Sequence, residues 1–342
     1  MKKHILDLSL LELQNSLKGI ISKDYEYGQI VDWLYAKKEP SFDKWNNLSK
    51  TLRSLLPEYF LPRVLSIHKK EISKKDKTIR YTFKTLDKKL FYAVFLPSKY
   101  KNSICLSSQI GCPVGCSFCQ SGKSAFIRNL TSGEILEQIL QIENDTKEKI
   151  SGILFMGMGE ALFNCINLER ALKTILSKSG LYIGKRNITV STAGDVAGIK
   201  KLALSGLNVN LAVSLHASDD DIRKRIMPNI RFSLDDILNA SLSYINKTNS
   251  RLTVEYILIK DINDSPAQCH KLARLLKRKG FAPHQILLNL IPFNRIDKSK
   301  FAAPDEQSAI RFQKVLKLNG LQAMIRQPRG QDIRAACGQL GF

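Results

Sequence analysis

From residue 102 onward, short apolar runs rich in β-branched residues alternate with amphipathic, helix-like runs, and this alternation constrains the fold more than any other feature. The strand candidates are SICLSS from Ser103, GILFMGM from Gly152, NITVST from Asn187, NVNLAVSLH from Asn208, LTVEYILI from Leu252, ILLNLIP from Ile286 and QAMIRQ from Gln322. The helix candidates between them include EILEQILQIEN, LERALKTILSK, AQCHKLARLLKRKG and AIRFQKVLKLNG. Thr131 and Glu134 form a capping-box pattern at the start of the first. Gly280 and Gly320 stand where helices commonly stop. The expected class is α/β, with about six βα units in a partial (β/α)6 TIM-like barrel over 102–328 and its chemistry at the carboxyl ends of the strands.

Residues 1–75 read as a small helical accessory domain, with apolar positions recurring at helical spacing in LSLLELQNSL and GQIVDWLYAKK. The lysine-rich HKKEISKKDK at 68–77 is expected to be a solvated turn, with phosphate contact as the other reading. IRYTFKT and KLFYAVFLP, around the turn LDKK, predict a short β-hairpin extension at 76–101. Residues 329–342 form a tail.

Cys112, Cys116 and Cys119 follow the first barrel strand with the spacing C-x3-C-x2-C. One short loop can turn these three thiolates toward a common centre that is one ligand short of the four that an iron–sulfur cube needs. A structural zinc site completed by Cys105 is the alternative. The other strand ends carry GMGE, Ser191, the run Ser214–His216 and Asn294, all opening onto one mouth. Gly157 and Gly159 allow backbone to approach a ligand closely, and Glu160 can accept hydrogen bonds from an ammonium or from ribose hydroxyls.

With 342 residues, 44% of them hydrophobic, the chain can bury one large core and a small second one. Its 53 basic residues against 31 acidic ones give a formal charge of +22, a bias toward polyanions such as nucleic acid. Seven cysteines, unevenly spaced, do not resemble a secreted disulfide framework, so a reducing cytoplasm is expected. Asp7 and Glu12 interrupt the N-terminal apolar run before it could act as a signal sequence, and no stretch approaches the length of a membrane span.

The three-cysteine loop is the signature of radical S-adenosylmethionine (SAM) enzymes, and the chain resembles, within them, the RlmN/Cfr family of RNA adenine methyltransferases. The resemblance rests on CLSSQIGC from Cys105, the cluster loop, FMGMGEAL from Phe155, STAG from Ser191, SLHA from Ser214, LNLIPFN from Leu288 and RGQDIRAACGQL from Arg329, in family order over nearly the whole chain. It implies a radical SAM barrel with one 4Fe-4S cluster on Cys112, Cys116 and Cys119, SAM on the fourth iron, and SAM contacts from Gly159, Glu160, Ser191, Ser214, Leu215, His216 and Asn294. RNA would be the partner, chiefly 23S ribosomal RNA and in some members tRNA, with the N-terminal domain holding it. An electron donor such as flavodoxin would feed the cluster, and a monomer would suffice.

The resemblance also implies the reaction. Methylation of a ring carbon of adenosine would consume two SAM molecules per turnover. Cys337 would take a methyl group from the first, the second would yield the radical that activates the S-methyl, and the carbon radical would add to the base. Cys105 would resolve the adduct by taking a proton and closing a disulfide with Cys337. Cys165 and Cys269 match no motif and read as ordinary thiols.

Two departures from the family stand out. Where it usually carries a catalytic glutamate ahead of the resolving cysteine, this chain has Tyr92, and tyrosine, with a reference pKa of about 10, is a poor base near neutrality. The arginine common near Gly28 is also absent. Carbon 2 of adenine is the expected target and carbon 8 the alternative, since Ala161 is Cfr-like. A radical SAM enzyme with another substrate, or a zinc-stabilised RNA-binding protein, are the competing classes.

Overall fold

The computed structural model describes residues 2–342. In the N-terminal part, β1 (Lys3–His4) pairs in parallel with β2 (Phe60–Leu61) and closes a unit built of α1 (Leu10–Leu17), α2 (Asp24–Asp32) and α3 (Lys50–Tyr59). Ser9 and Glu12 cap α1 reciprocally, and Ser49 caps α3, so both helix starts are set by local sequence. Trp33 stacks on Trp45, and Phe42 meets Trp45 edge-on, which gives this unit an aromatic core.

A ten-stranded sheet forms the rest. Its antiparallel part is β3 (Leu65–Ile72), β4 (Ile79–Thr85) and β5 (Leu90–Leu96), which joins β6 (Ser103–Cys105). A small side ribbon of β7 (Gln109–Ile110) and β8 (Arg128–Asn129) follows. The parallel strands continue as β9 (Gly152–Phe155), β10 (Ile188–Thr192), β11 (Asn210–Ser214), β12 (Leu252–Leu258), β13 (Ile286–Pro292) and β14 (Gln322–Ile325), in spatial order beside β6. Between them lie α4 (Gln120–Lys123), α5 (Ser132–Thr146), α6 (Cys165–Leu176), α7 (Val196–Leu204), α8 (Asp220–Ile226), α9 (Leu234–Thr248), α10 (Pro266–Arg278) and α11 (Glu306–Leu318). The sheet stays open, with β14 at one end and β3 at the other, as a partial barrel requires.

The main departure from the sequence reading is at 65–72, which was expected to belong with the helices and a solvated lysine turn. It is a strand, so the expected hairpin is a three-stranded meander that extends the barrel sheet. Only Leu65 is buried on β3, because an edge strand needs little apolar surface. Exposed lysines such as Lys69 suit an edge that must not pair with another chain.

The N-terminal unit docks on the start of α5. Gly133 N donates to Asp7 Oδ1 at 2.7 Å, and the buried Glu137 carboxylate accepts from Val64 N at 2.9 Å and Leu65 N at 3.2 Å. A Cβ at position 133 would lie 2.3 Å from the His4 ring, so glycine is what lets the two parts meet.

Candidate active site

The cluster loop leaves β7 through Gly111, whose φ of 75° and whose closeness to Ala125 O exclude a side chain. It is gripped from across the barrel mouth. Ser117 N and Oγ both donate to Ile226 O, at 2.9 and 3.0 Å, and Asn229 Nδ2 donates to Pro113 O at 3.0 Å. Cys112, Cys116 and Cys119 thereby line one cavity of about 160 Å³, with Gly159, Glu160, Ser191, Ser214 and His216 around the same space.

Burial pushes all three thiols up, Cys112 to about 12, and the neighbouring cysteines push Cys116 further. As bare side chains they are protonated; a polynuclear cation would reverse that and hold them as thiolates. Among the described residues no three Cys, His, Asp or Glu side chains gather tightly enough for a single metal ion. Cys105 lies in a neighbouring cavity rather than with this trio. Three thiols on one cavity are the number a cube with one open corner takes, and Cys105, which lines the adjoining cavity, is not among them.

The GMGE turn is pinned by Ser107. Met158 N donates to Ser107 Oγ at 2.7 Å, Ser107 Oγ donates to Tyr92 O at 2.5 Å, and Gln138 holds both backbone groups of Ser107 at 3.1 Å. Gly159 has a φ of 102°, and a Cβ there would lie 2.5 Å from Gln109 Cβ. Glu160 accepts from Leu162 N at 3.1 Å and Ala193 N at 2.6 Å. Burial nonetheless raises its pKa to about 7. His216, at a φ of 61°, accepts at Nδ1 from Ile257 N at 3.0 Å, so its proton sits on Nε2. Burial, then the charge of Arg223, lowers its pKa to about 3 and keeps it neutral.

Leu215 and Asn294 do not line the three-cysteine cavity; Asn294 lines the adjoining one. Leu215 is fully buried, with its N–H on Glu255 O and its carbonyl on Arg223 Nε. Asn294 donates through Nδ2 to Cys337 O at 3.0 Å and accepts at Oδ1 from Gln331 Nε2 at 2.8 Å, so its amide is engaged with the tail.

A second cavity, of about 100 Å³, is lined by Cys105 and Cys337 and adjoins the first. Cys119, Gly157, Arg326 and Cys337 border both. The exposed tail residue Cys337 is held over this junction by Gln120 N, which donates to Gly338 O at 2.7 Å, and by Ser121 Oγ, which donates to Leu340 O. Burial on the cavity side raises the pKa of both thiols, Cys105 to about 12. All seven cysteines are free, so the disulfide between Cys105 and Cys337 that the resemblance implies is not formed in this state. Cys165 and Cys269 donate to Leu162 O and Phe312 O and serve packing.

Tyr92 borders neither cavity; its ring packs against Phe342, and Arg80 lies 5.1 Å from the ring centre. Sequence reasoning missed Glu255, Arg326 and Arg223. Glu255 enters the first cavity from β12, which otherwise reads as apolar, and a charge inside such a strand is a signal that could have marked it; Arg326 enters from just beyond the end of β14, where no such signal exists.

A model of the radical SAM superfamily matches residues 106–273, and one of the ribosomal RNA large subunit methyltransferase N-terminal domain matches residues 3–61. A protein from Endomicrobium trichonymphae named "Probable dual-specificity RNA methyltransferase RlmN" is 54% identical over 342 residues, covering 100% of this chain and 98% of its own. A namesake from Thermotoga neapolitana is 41% identical over 99% of this chain and 97% of its own. The crystal structure of a radical SAM methyltransferase from Sphaerobacter thermophilus superposes with a TM-score of 0.93 at 35% identity, covering 99% of each chain. With relatives this similar over its whole length and the cysteine loop at the mouth of an open barrel, the chain belongs to the RlmN family of radical SAM methyltransferases.

Proposed function

We propose that this chain methylates a ring carbon of adenosine in RNA, carbon 2 in preference to carbon 8, through an S-methyl group carried on Cys337. The observation that carries the reading is the junction of the two cavities. Cys337 reaches the three-cysteine cavity on one side and Cys105 on the other, so one sulfur can meet both a methyl donor and a resolving thiol. When bound, a 4Fe-4S cluster on Cys112, Cys116 and Cys119 with SAM on its open iron supplies one-electron reduction and hydrogen-atom abstraction, chemistry that a carbon without a lone pair demands.

The chain's own residues do the rest. The Cys337 thiolate takes the methyl group of one SAM by displacement, with S-adenosylhomocysteine as the leaving group, and the S-methyl carbon, after losing a hydrogen atom, adds as a radical to the base. The radical adduct would return one electron to the oxidised cluster and give the ring proton to Cys105. Cys105, again a thiolate, would then attack the Cys337 sulfur, the S–CH2 bond breaking as the S–S bond forms. The electron pair left on carbon would take up a proton to complete the methyl group, a thiol reductant reopening the disulfide for the next turnover. The smaller cavity, largely apolar but with Ser121, Asn294, Arg326, Gln327 and Arg329 as polar groups, suits a flipped purine. Cys105 lines that cavity and Tyr92 does not, which supports Cys105, once ionised, as the group that takes the proton.

The relatives are named dual-specificity RNA methyltransferases, the matched N-terminal model is that of a ribosomal RNA large subunit methyltransferase, and the charge of +22 supports RNA over a small molecule or peptide. We take 23S ribosomal RNA as the main substrate and tRNA as a second. A low-potential donor of the flavodoxin type, a monomeric state and a cytoplasmic location complete the reading. The test is a pair of variants in anaerobically reconstituted protein. Cys337→Ala should keep its iron yet never gain the mass of a methyl group, and Cys105→Ala should accumulate protein covalently joined to RNA. A Cys337→Ala protein that still makes methyladenosine would sink the proposal. Mapping the modified base in rRNA and tRNA from strains with and without the gene decides between carbons 2 and 8.

A further inference from the structure

Arg223, on α8, has no solvent-exposed surface. Its Nε donates to Leu215 O at 3.0 Å, and its Nη2 donates to Ser214 O at 3.1 Å and to Ala193 O. The side chain therefore ties together the carboxyl ends of β10 and β11, where Ser191 and Ser214 face the first cavity. Nη1 has no partner among the described residues. Burial lowers the guanidinium's pKa to about 10, which still leaves it charged at neutral pH.

An enclosed cation without a counter-ion is costly, and carbonyl dipoles compensate only part of its lost hydration. The negative groups that face Arg223 are Cys116 once ionised, then Asp220 and Glu160. The same helix is bonded to the cluster loop, since Ser117 N and Oγ both reach Ile226 O. Cation and cysteine loop are thus one mechanical unit, and the charge sits where solvent screens it little.

We propose that Arg223 is the built-in counter-charge of the three-cysteine site, a positioning residue that favours the reduced, more negative state of a cluster held by Cys112, Cys116 and Cys119. Reduction adds one electron from a low-potential donor and makes or breaks no bond, so a fixed positive charge nearby acts directly on the midpoint potential. The inference rests on the iron–sulfur reading of the loop and is independent of the RNA substrate. Iron and sulfide content test the first; the potential tests the role of Arg223.

The experiment is an EPR-monitored redox titration of anaerobically reconstituted full-length protein, as wild type, Arg223→Met, Arg223→Lys and Asp220→Asn. Arg223→Met is expected to shift the midpoint to more negative potential, and Arg223→Lys, which keeps the charge but not the carbonyl bonds, to recover most of the shift. Asp220→Asn keeps an acceptor for Leu234 N while removing a facing negative charge, so its midpoint should move the opposite way, even if Arg223→Met fails to fold. Equal shifts for the Met and Lys variants would overturn the proposal in favour of packing, as would an unmoved Asp220→Asn midpoint at full iron content.

Discussion

Gln138 offers a measurable test of how the site is supported. It is fully buried on α5, and its amide exchanges two hydrogen bonds of 3.1 Å with Ser107 N and O. Gln138→Leu is nearly isosteric but leaves a buried N–H and a buried carbonyl unpaired, at about 1–3 kcal/mol each. About 1 kcal/mol returns from burying the added apolar surface, so the net loss should be about 1–5 kcal/mol. Urea unfolding of the apo protein followed by circular dichroism reads this directly. Because Ser107 Oγ holds Met158 N, the variant should also bind SAM more weakly in calorimetry on reconstituted protein. A stability change below about 0.5 kcal/mol would refute the accounting, since it would mean that Ser107 finds other partners at no cost.

Gly159→Ala should lose about 2–5 kcal/mol, from the cost of a side chain at positive φ and the clash with Gln109, and should bind SAM poorly; Gly28→Ala in α2, with open space around it, should instead gain about 0.5–1 kcal/mol, both read from thermal melts. The buried pair His4 and Glu137, 3.5 Å apart and faced by Asp7 and Arg63, should show opposing pH slopes. Burial lowers His4 from 6.5 to about 4, so its contribution to stability is present above pH 6.5 and lost as pH falls toward 4. Burial raises Glu137 from 4.5 to about 7, so its contribution is present below pH 4.5 and lost as pH rises through 7. Each is worth about 3 kcal/mol. Glu137→Gln should therefore leave a protein that stabilises as pH rises from 4 to 6.5, and His4→Asn one that destabilises from 4.5 to 7. Flat urea midpoints in both would show that the pair does not titrate.

Hydrophobic alternation and helix caps were enough to read the parallel half of the sheet. LTVEYILI and ILLNLIP are buried runs too short for helices, and Thr131 and Glu134 do form the reciprocal cap of α5. β3 was not legible, because an edge strand carrying Lys69 and Lys70 has the composition of a solvated turn, and only pairing with β4 makes it a strand. The cysteine loop and GMGE were legible because their spacing is itself the chemistry. Asn294 was harder to read: its position at the end of β13 points to the cavity mouth, but a strand-end amide can turn to a ligand or to the tail, and only packing of the tail shows that it faces Cys337. Arg223 was invisible for the opposite reason. In DDIRKRI it sits among charges that mark a solvated helix, and nothing local reveals which of them turns inward.

The tail that carries Cys337 is anchored at its other end to the turn between β3 and β4. Asp76 Oδ2 accepts from Gly330 N at 2.8 Å, Asp76 O accepts from Arg329 Nη2 at 3.1 Å, and Asp332 accepts from Ser73 Oγ at 2.7 Å and Lys74 N at 3.0 Å. The turn and the first half of the tail thus share one set of bonds and open as one cooperative unit, so their amides should exchange with solvent at matched rates. The hairpin is in effect a lever arm: a force that bends its exposed lysine tip is delivered, through Asp76 and Asp332, to the backbone that aims the methyl carrier.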